Sequence, residues 1–451
     1  MTSLWFQSAL LSDGWAQNVR VTVGGAAITR IEKDVQPAAS DARHGIAIPG
    51  LANLHSHAFQ RGMAGLAEVR GPAHDSFWTW RDVMYRFIDR LTPDDVQAIA
   101  ELAYIEMLET GFTRVGEFHY VHHDIDGRPY ANIAELAVRI AAAAHETGIA
   151  LTLLPVFYAH SNFGGKPPVP GQRRFLNDPE RFARLMDASR KAIASLDNAN
   201  IGIAPHSLRA TTPEELNAII PLAQSGPIHI HIAEQMKEVD DCIAWSGARP
   251  VSWLLDNVGV DSKWCLVHAT HMTAEETARL ARSDAVAGLC PITEANLGDG
   301  IFPMPDYLAD GGHFGIGSDS NVRIDAAEEL RTLEYAQRLA LRGRNVLVAE
   351  AGQSTGRALF DGALAGGHQA LGVPVFGLKE GAPADLVSLD ADSPSLAGKK
   401  ADTILDSWIF AGTDSVDCVW RGGVRLVAGG RHEKREQIAR RYKEVLARIV
   451  K

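Results

Sequence analysis

Ile48-Pro49-Gly50-Leu51-Ala52-Asn53-Leu54-His55-Ser56-His57 is the stretch from which the rest of the chain is read. Proline and glycine interrupt the pattern, and an apolar run then ends in two histidines one residue apart. Side chains alternate along a strand, so His55 and His57 point to one side and can share a metal ion. An HxH triplet alone is a weak signal. Its position at a strand end, just after a Pro-Gly break, strengthens it.

Downstream of this strand, as far as about residue 345, short apolar strands alternate with amphipathic helices. The strands expected are Leu51–His55, Thr113–Glu117, Ala150–Phe157, Ile201–Pro205, Ile228–Ala233, Trp264–Ala269, Ala285–Leu289 and His313–Ser318. Thr92-Pro93-Asp94-Asp95 and Thr212-Pro213-Glu214-Glu215 each read as a capping threonine, a proline at the first helical position and early acid. Eight strands in a βα rhythm predict the α/β class, with a (β/α)8 TIM-type barrel over residues 49–370. The proline- and glycine-rich stretch Asn162–Gln172 is expected to be a long loop and a candidate cover for the active site.

Upstream, residues 1–48 read as short strands at Trp5–Leu11, Val19–Val23 and Ile28–Ile31, separated by Asp13-Gly14 and Gly24-Gly25. After a helical stretch near Glu350–Leu371, strand character returns within residues 371–430, at Ala384–Leu389 and Val416–Val427. A helix over Glu433–Ile449 occupies residues 431–451. The two chain ends are expected to build one small β-sandwich beside the barrel.

The 451 residues are 46% hydrophobic and 22% charged, as in an ordinary globular protein. A net charge of −11 argues against a non-specific nucleic-acid binder, which needs a basic face. The four cysteines (Cys242, Cys265, Cys290, Cys418) form no CxxC pair, which fits free, buried thiols in a cytoplasmic enzyme. The opening MTSLWFQSALLSDGWAQ lacks the basic start and apolar core of a signal peptide, so none is expected. No apolar run reaches the ~18–20 residues that would span a membrane.

The HxH pattern recurs at the fifth strand as His229-Ile230-His231-Ile232-Ala233-Glu234. The sixth strand ends at Val267-His268 and the eighth at Gly317-Ser318-Asp319. Four strands thus end in His or Asp on the face where barrels place their chemistry. The blander alternative, satisfied interior histidines, explains one or two of these among 17 but not four at corresponding places. That alternative does suit His229, which lies deeper than His231. His119, His122, His123 and His160 read as loop or rim residues, and His271 reads either way.

Pro205-His206-Ser207-Leu208-Arg209 closes the fourth strand and puts Arg209 at the barrel mouth, where a guanidinium can grip a carboxylate bidentately. The competing reading is a loop salt bridge. Trp78-Thr79-Trp80-Arg81 and Phe118-His119-Tyr120 add a second guanidinium and a phenol, and Gln60 follows His57 by three residues. A substrate with two carboxylates would use such a set.

IPGLANLHSH (48–57), HIHIAE (229–234), LVHATH (266–271), CPITEANLGDGIFP (290–303), GIGSDS (315–320) and GAPADLV (381–387) together resemble the amidohydrolase superfamily, in its mononuclear metal-dependent deaminase branch. The resemblance covers nearly the whole chain. It implies that His55, His57, His231 and Asp319 hold the metal, that Glu234 shuttles protons, and that His268 orients water and stabilises the attacked centre. Three neutral imidazoles and a carboxylate suit one Zn²⁺ per chain, with iron as the alternative. Two-metal relatives use a modified lysine on the fourth strand, whereas Gly202-Ile203-Ala204-Pro205-His206 contains none. A single metal is therefore expected.

Within that branch, HSHAFQRGMAG (55–65), DSFWTWR (75–81) and PHSLRA (205–210) resemble the N-formimino-L-glutamate iminohydrolases of histidine degradation. This implies a small dicarboxylate amidine as substrate, hydrolysed to N-formyl-L-glutamate and ammonia, with Gln60, Arg81, Tyr120, His206 and Arg209 contacting it. The alternative activity is deamination of a purine or related aromatic amine, whose pocket would favour ring stacking over carboxylate grips. A non-catalytic barrel serving as an interaction protein is the alternative from another class. No nucleic-acid or membrane partner is expected, and the expected assembly is a cytoplasmic homodimer.

Overall fold

The computed structural model describes residues 1–71, 75–374, 377–412 and 415–450. At its centre, strands Leu51–Ser56, Phe112–His119 and Ala150–Phe157 run parallel. A fourth strand in two pieces, Asn200–Ile201 and Ala204–Pro205, continues that sheet. Ile228–Ile232, Trp264–His268, Val286–Leu289 and His313–Ile316 form a second parallel sheet. Bridges Ile203↔Ile228 and Ser207↔His231 join the sheets on one side, and Ser56↔Asp319 joins them on the other. The ring closes as the expected TIM-type barrel. Its strands are buried almost throughout, as all-parallel strands covered on both faces must be.

The fourth strand, expected as one run, breaks at Gly202. A Cβ there would lie 2.2 Å from the Pro227 carbonyl oxygen, so only glycine lets the two backbones come this close. The capping readings hold at helices Pro93–Glu109 and Pro213–Ile219. Thr92 and Thr212 accept from the N–H of Asp95 and Glu215, whose carboxylates accept in return.

The two chain ends form one eight-stranded sheet. Its order is Arg431–His432, Val424–Ala428, Val416–Arg421, Leu386–Leu389, Ala42–Pro49, Thr2–Leu11, Gly14–Gly24, Ala27–Glu32. The last strand hydrogen-bonds back to the segment before Leu386: Ile28 N–H donates to Ala382 (2.8 Å) and Ala384 N–H to Ala26 (2.9 Å). The expected two layers are therefore one sheet rolled around Phe6, Val21, Ile28, Leu386 and Trp420.

Strand Ala42–Pro49, which the sequence reading missed, joins the two ends of the chain. It runs parallel to Thr2–Leu11 and antiparallel to Leu386–Leu389, then enters the barrel through Gly50. Val416–Val427, read as one strand, is a hairpin turning at Gly422 and Gly423, with φ of 55° and 77°. Helix Asp402–Phe410 was also unanticipated. The closing helix, Arg435–Ile449, packs on Pro93–Glu109 through Arg441–Glu101 and Arg448–Asp95 pairs. No helix among the described residues is long and apolar enough to cross a membrane.

Candidate metal centre and substrate pocket

The ends of the first, fifth and eighth barrel strands converge on one point. The Nε2 atom of His55 lies 3.2 Å from Nε2 of His57 and 3.0 Å from Nε2 of His231. Asp319 Oδ1 lies 3.2 Å from His57 Nε2 and 3.5 Å from His55 Nε2. Backbone contacts fix the tautomers. His57 Nδ1–H donates to the Phe118 carbonyl (2.9 Å) and His231 Nδ1–H to that of His206 (3.1 Å), leaving both Nε2 lone pairs bare. Burial drives the His55 imidazole down to about 3 and that of His231 well below its usual value, so both rings are neutral. Burial alone would raise the Asp319 carboxyl, but the contacts with His55 and His57 hold it well below the usual range. Two bare imidazole lone pairs, a third ring nitrogen and a carboxylate crowded together fit a cation.

Asp319 and His268 sit where their strands stop, with φ of 45° and 67°, conformations that are costly for residues with side chains. A buried polar network holds the Asp319 turn. Asn53 Nδ2 donates to Ser318 Oγ (2.6 Å), which donates to Asn321 Oδ1 (2.6 Å), and Asn321 Nδ2 donates to the carbonyls of His57 and Asp319 (both 3.1 Å). Glu117 accepts the Ala58 N–H at 2.8 Å, fixing the backbone just past His57. The sequence reading missed these supports. Asn53 carried a signal, since it shares the strand face of His55 and His57 and is polar.

Glu234 and His268 adjoin the centre. His268 Nε2 lies 3.8 Å from Glu234 Oε1 and 3.7 Å from Asp319 Oδ2, and its Nδ1 lies 3.2 Å from Glu294 Oε1. Burial pushes the Glu234 carboxyl up to about 7, within reach of a proton at neutral pH. Burial opposes charge on His268, but Glu234, Glu294 and Asp319 outweigh it and raise the imidazole to about 10.

Over this centre lies a small cavity of about 50 Å³. Every residue expected to contact substrate lines it: Gln60, Arg81, Tyr120, His206 and Arg209. Gln60 Nε2 donates to the Tyr120 hydroxyl at 2.8 Å. Arg209, expected at the mouth, is buried inside instead, 5% exposed. Its Nε stands 3.7 Å from Glu238 Oε2, beyond hydrogen bonding. Arg81 lies over the Trp78 ring at 4.5 Å. Neither guanidinium hydrogen-bonds any described residue. A larger apolar groove beside Phe314 and Leu359 opens at the opposite end of the eighth strand and holds none of these groups.

The remaining readings separate. His229 Nε2–H donates to Ala370 (2.6 Å), the interior role expected. His119, His122 and His123 are buried rather than at a rim, and His122 and His123 bond the carbonyls of Val156 and Leu176. His160 pairs with Glu215 at 2.9 Å. His271 stays outside the ligand group. All four cysteines are buried and free. Asn162–Gln172 supplies no lining residue; its neighbours Tyr158 and Phe175 do. It is pinned aside by Asn162 to Asp241 (2.8 Å) and by Phe163 stacked on Trp245.

Residues 46–426 match the model of the amidohydrolase family, and residues 1–45 match that of the formimidoylglutamate deiminase HutF N-terminal domain. The chain is 51% identical to formimidoylglutamate deiminase of Pseudomonas aeruginosa, over the full length of both. It is 28% identical to 8-oxoguanine deaminase of the same organism, covering 88% of this chain and 86% of that one. Among solved structures, an amidohydrolase from Brucella melitensis superposes with a TM-score of 0.97 at 56% identity, over the full length of both chains.

Proposed function

The chain belongs to the amidohydrolase family, and from that footing we propose that its centre deiminates N-formimino-L-glutamate to N-formyl-L-glutamate and ammonia in histidine degradation. One observation in the pocket carries the choice of substrate. Two guanidiniums, Arg81 and Arg209, face the cavity with no hydrogen-bond partner among the described residues. Guanidinium donors are costly to leave without hydrogen bonds, and two carboxylates on one substrate would satisfy them.

His55, His57, His231 and Asp319 would hold one Zn²⁺. Bound there, the ion would supply Lewis-acid chemistry and make the attacking water easier to deprotonate. The chain's own groups do the rest. Glu234 takes a proton from the water as its oxygen bonds to the formimino carbon. It delivers that proton to the terminal nitrogen, leaving a tetrahedral carbon that carries a hydroxyl and an amino group. The hydroxyl proton then passes through Glu234 to the same nitrogen as the carbonyl forms, the C–N bond breaks and ammonia leaves. His268, held by Glu294, directs Nε2–H at the developing oxyanion. Arg81 and Arg209 bind the carboxylates, while Gln60, Tyr120 and His206 line the space around the amidine.

The test is ammonia release from N-formimino-L-glutamate, with N-formyl-L-glutamate identified by mass, beside adenosine, guanine and 8-oxoguanine. Faster turnover of an aromatic amine would overturn the assignment. A cytoplasmic homodimer completes the proposal, because two-fold pairs are the commonest assembly of soluble enzymes. Sedimentation equilibrium giving a monomer would remove that part.

A further inference from the structure

Among the described residues Arg209 has one ion-pair partner within 4 Å, Glu238, and that partner does not line the pocket. Glu238 is the third residue of helix Met236–Ser246 and is 1% exposed. Its Oε1 accepts the Ala233 N–H at 3.2 Å, where the backbone turns left-handed (φ 50°) on leaving the fifth strand. Its Oε2 has no hydrogen bond and faces Arg209 Nε, likewise without one, across 3.7 Å. Glu238 is therefore fixed on its strand side and unsatisfied on its arginine side. At that distance charge attraction acts without spending an Arg209 N–H in a tight bond. A substrate carboxylate would meet a guanidinium that is already aimed. A free arginine would first have to give up the rotamer freedom of its long side chain.

We infer that Glu238 is a positioning residue for substrate recognition, holding the Arg209 guanidinium in the orientation that receives a substrate carboxylate. The inference rests on the dicarboxylate reading above. Glu238 is kept out of the chemistry by its place behind Arg209, so its removal acts on binding before catalysis. The contact with Ala233 allows a rival role, as a mere brace for the turn carrying Glu234. A brace would act on kcat and on stability.

The two roles separate in a double-mutant cycle. Glu238→Gln keeps the shape and the acceptor for Ala233 but removes the charge. It is expected to raise KM for N-formimino-L-glutamate about tenfold or more while kcat falls less than about threefold. The Kd of the product N-formyl-L-glutamate, measured calorimetrically, should weaken in parallel. In an Arg209→Met background the same substitution should change KM less than about twofold, because the group it orients is gone. Glu238→Asp, which keeps the charge, should recover part of the affinity. Independent, multiplying effects of the two substitutions, or a loss confined to kcat, would overturn the inference. Normal wild-type turnover with an unaffected Glu238→Gln enzyme rejects this role alone, whereas a wild type inert toward the substrate rejects the dicarboxylate reading as well.

Discussion

Glu234 Oε1 lies 3.8 Å from His268 Nε2, although the two residues leave different strands of the barrel. Each stands at a left-handed exit, Ala233 with φ 50° and His268 with φ 67°, so the strand ends are bent to bring acid and imidazole together. Glu234→Gln keeps the size of the side chain and removes its proton traffic. Turnover should drop by about 10²–10⁴, with metal content and melting temperature unchanged. A glutamine enzyme working near the wild-type rate would remove Glu234 from the proton path.

The Nε2 atoms of His55, His57 and His231, with contacts of 3.0–3.2 Å among them, lead to a metal prediction. Purified protein should carry one equivalent of zinc, measured by mass spectrometry, and His231→Ala should lose most of it. Acid should strip the ion, because protons compete for the same donors. Two tightly held ions per chain would contradict the single-site geometry.

Gly366 sits in helix Thr355–Ala370, where alanine would normally stabilise by up to ~1 kcal/mol. A Cβ at this position would lie 1.9 Å from the Phe314 carbonyl oxygen in the eighth strand. Steric cost decides the sign: Gly366→Ala should destabilise by about 1–3 kcal/mol or more, read from urea unfolding. A higher unfolding midpoint would show that helix and strand can separate freely.

How far the sequence could be read follows from which forces act locally. His55, His57, His231, His268 and Asp319 were legible because strand periodicity places them at corresponding ends. The helices opening at Thr92 and Thr212 were legible because their caps are local. Strand Ala42–Pro49 was not, since its partners, Thr2–Leu11 and Leu386–Leu389, lie at opposite ends of the chain. The turn at Gly422-Gly423 was written in the sequence but passed over inside an apolar run. Glu238 and Asn321 gave no signal at all. Their significance is a contact with another loop, and spacing carries no record of it.

Arg209 supports the substrate assignment, and its removal has two separable consequences. A guanidinium–carboxylate pair in a partly dry pocket forms two charge-assisted hydrogen bonds, and truncating such a pair costs roughly 2–5 kcal/mol. Arg209→Met should therefore lower kcat/KM for N-formimino-L-glutamate by about 30- to 5,000-fold, without loss of metal. A formimino compound lacking the carboxylate that Arg209 receives should be a poor substrate for the wild type and should lose little more in the variant. The second consequence concerns the fold. With Arg209 gone, the buried Glu238 carboxylate loses its countercharge, so the melting temperature should fall at neutral pH, and adding Glu238→Gln should restore much of it. Equal damage to both substrates, with no recovery from the second substitution, would mean that Arg209 serves the loop after Pro205 and not the substrate.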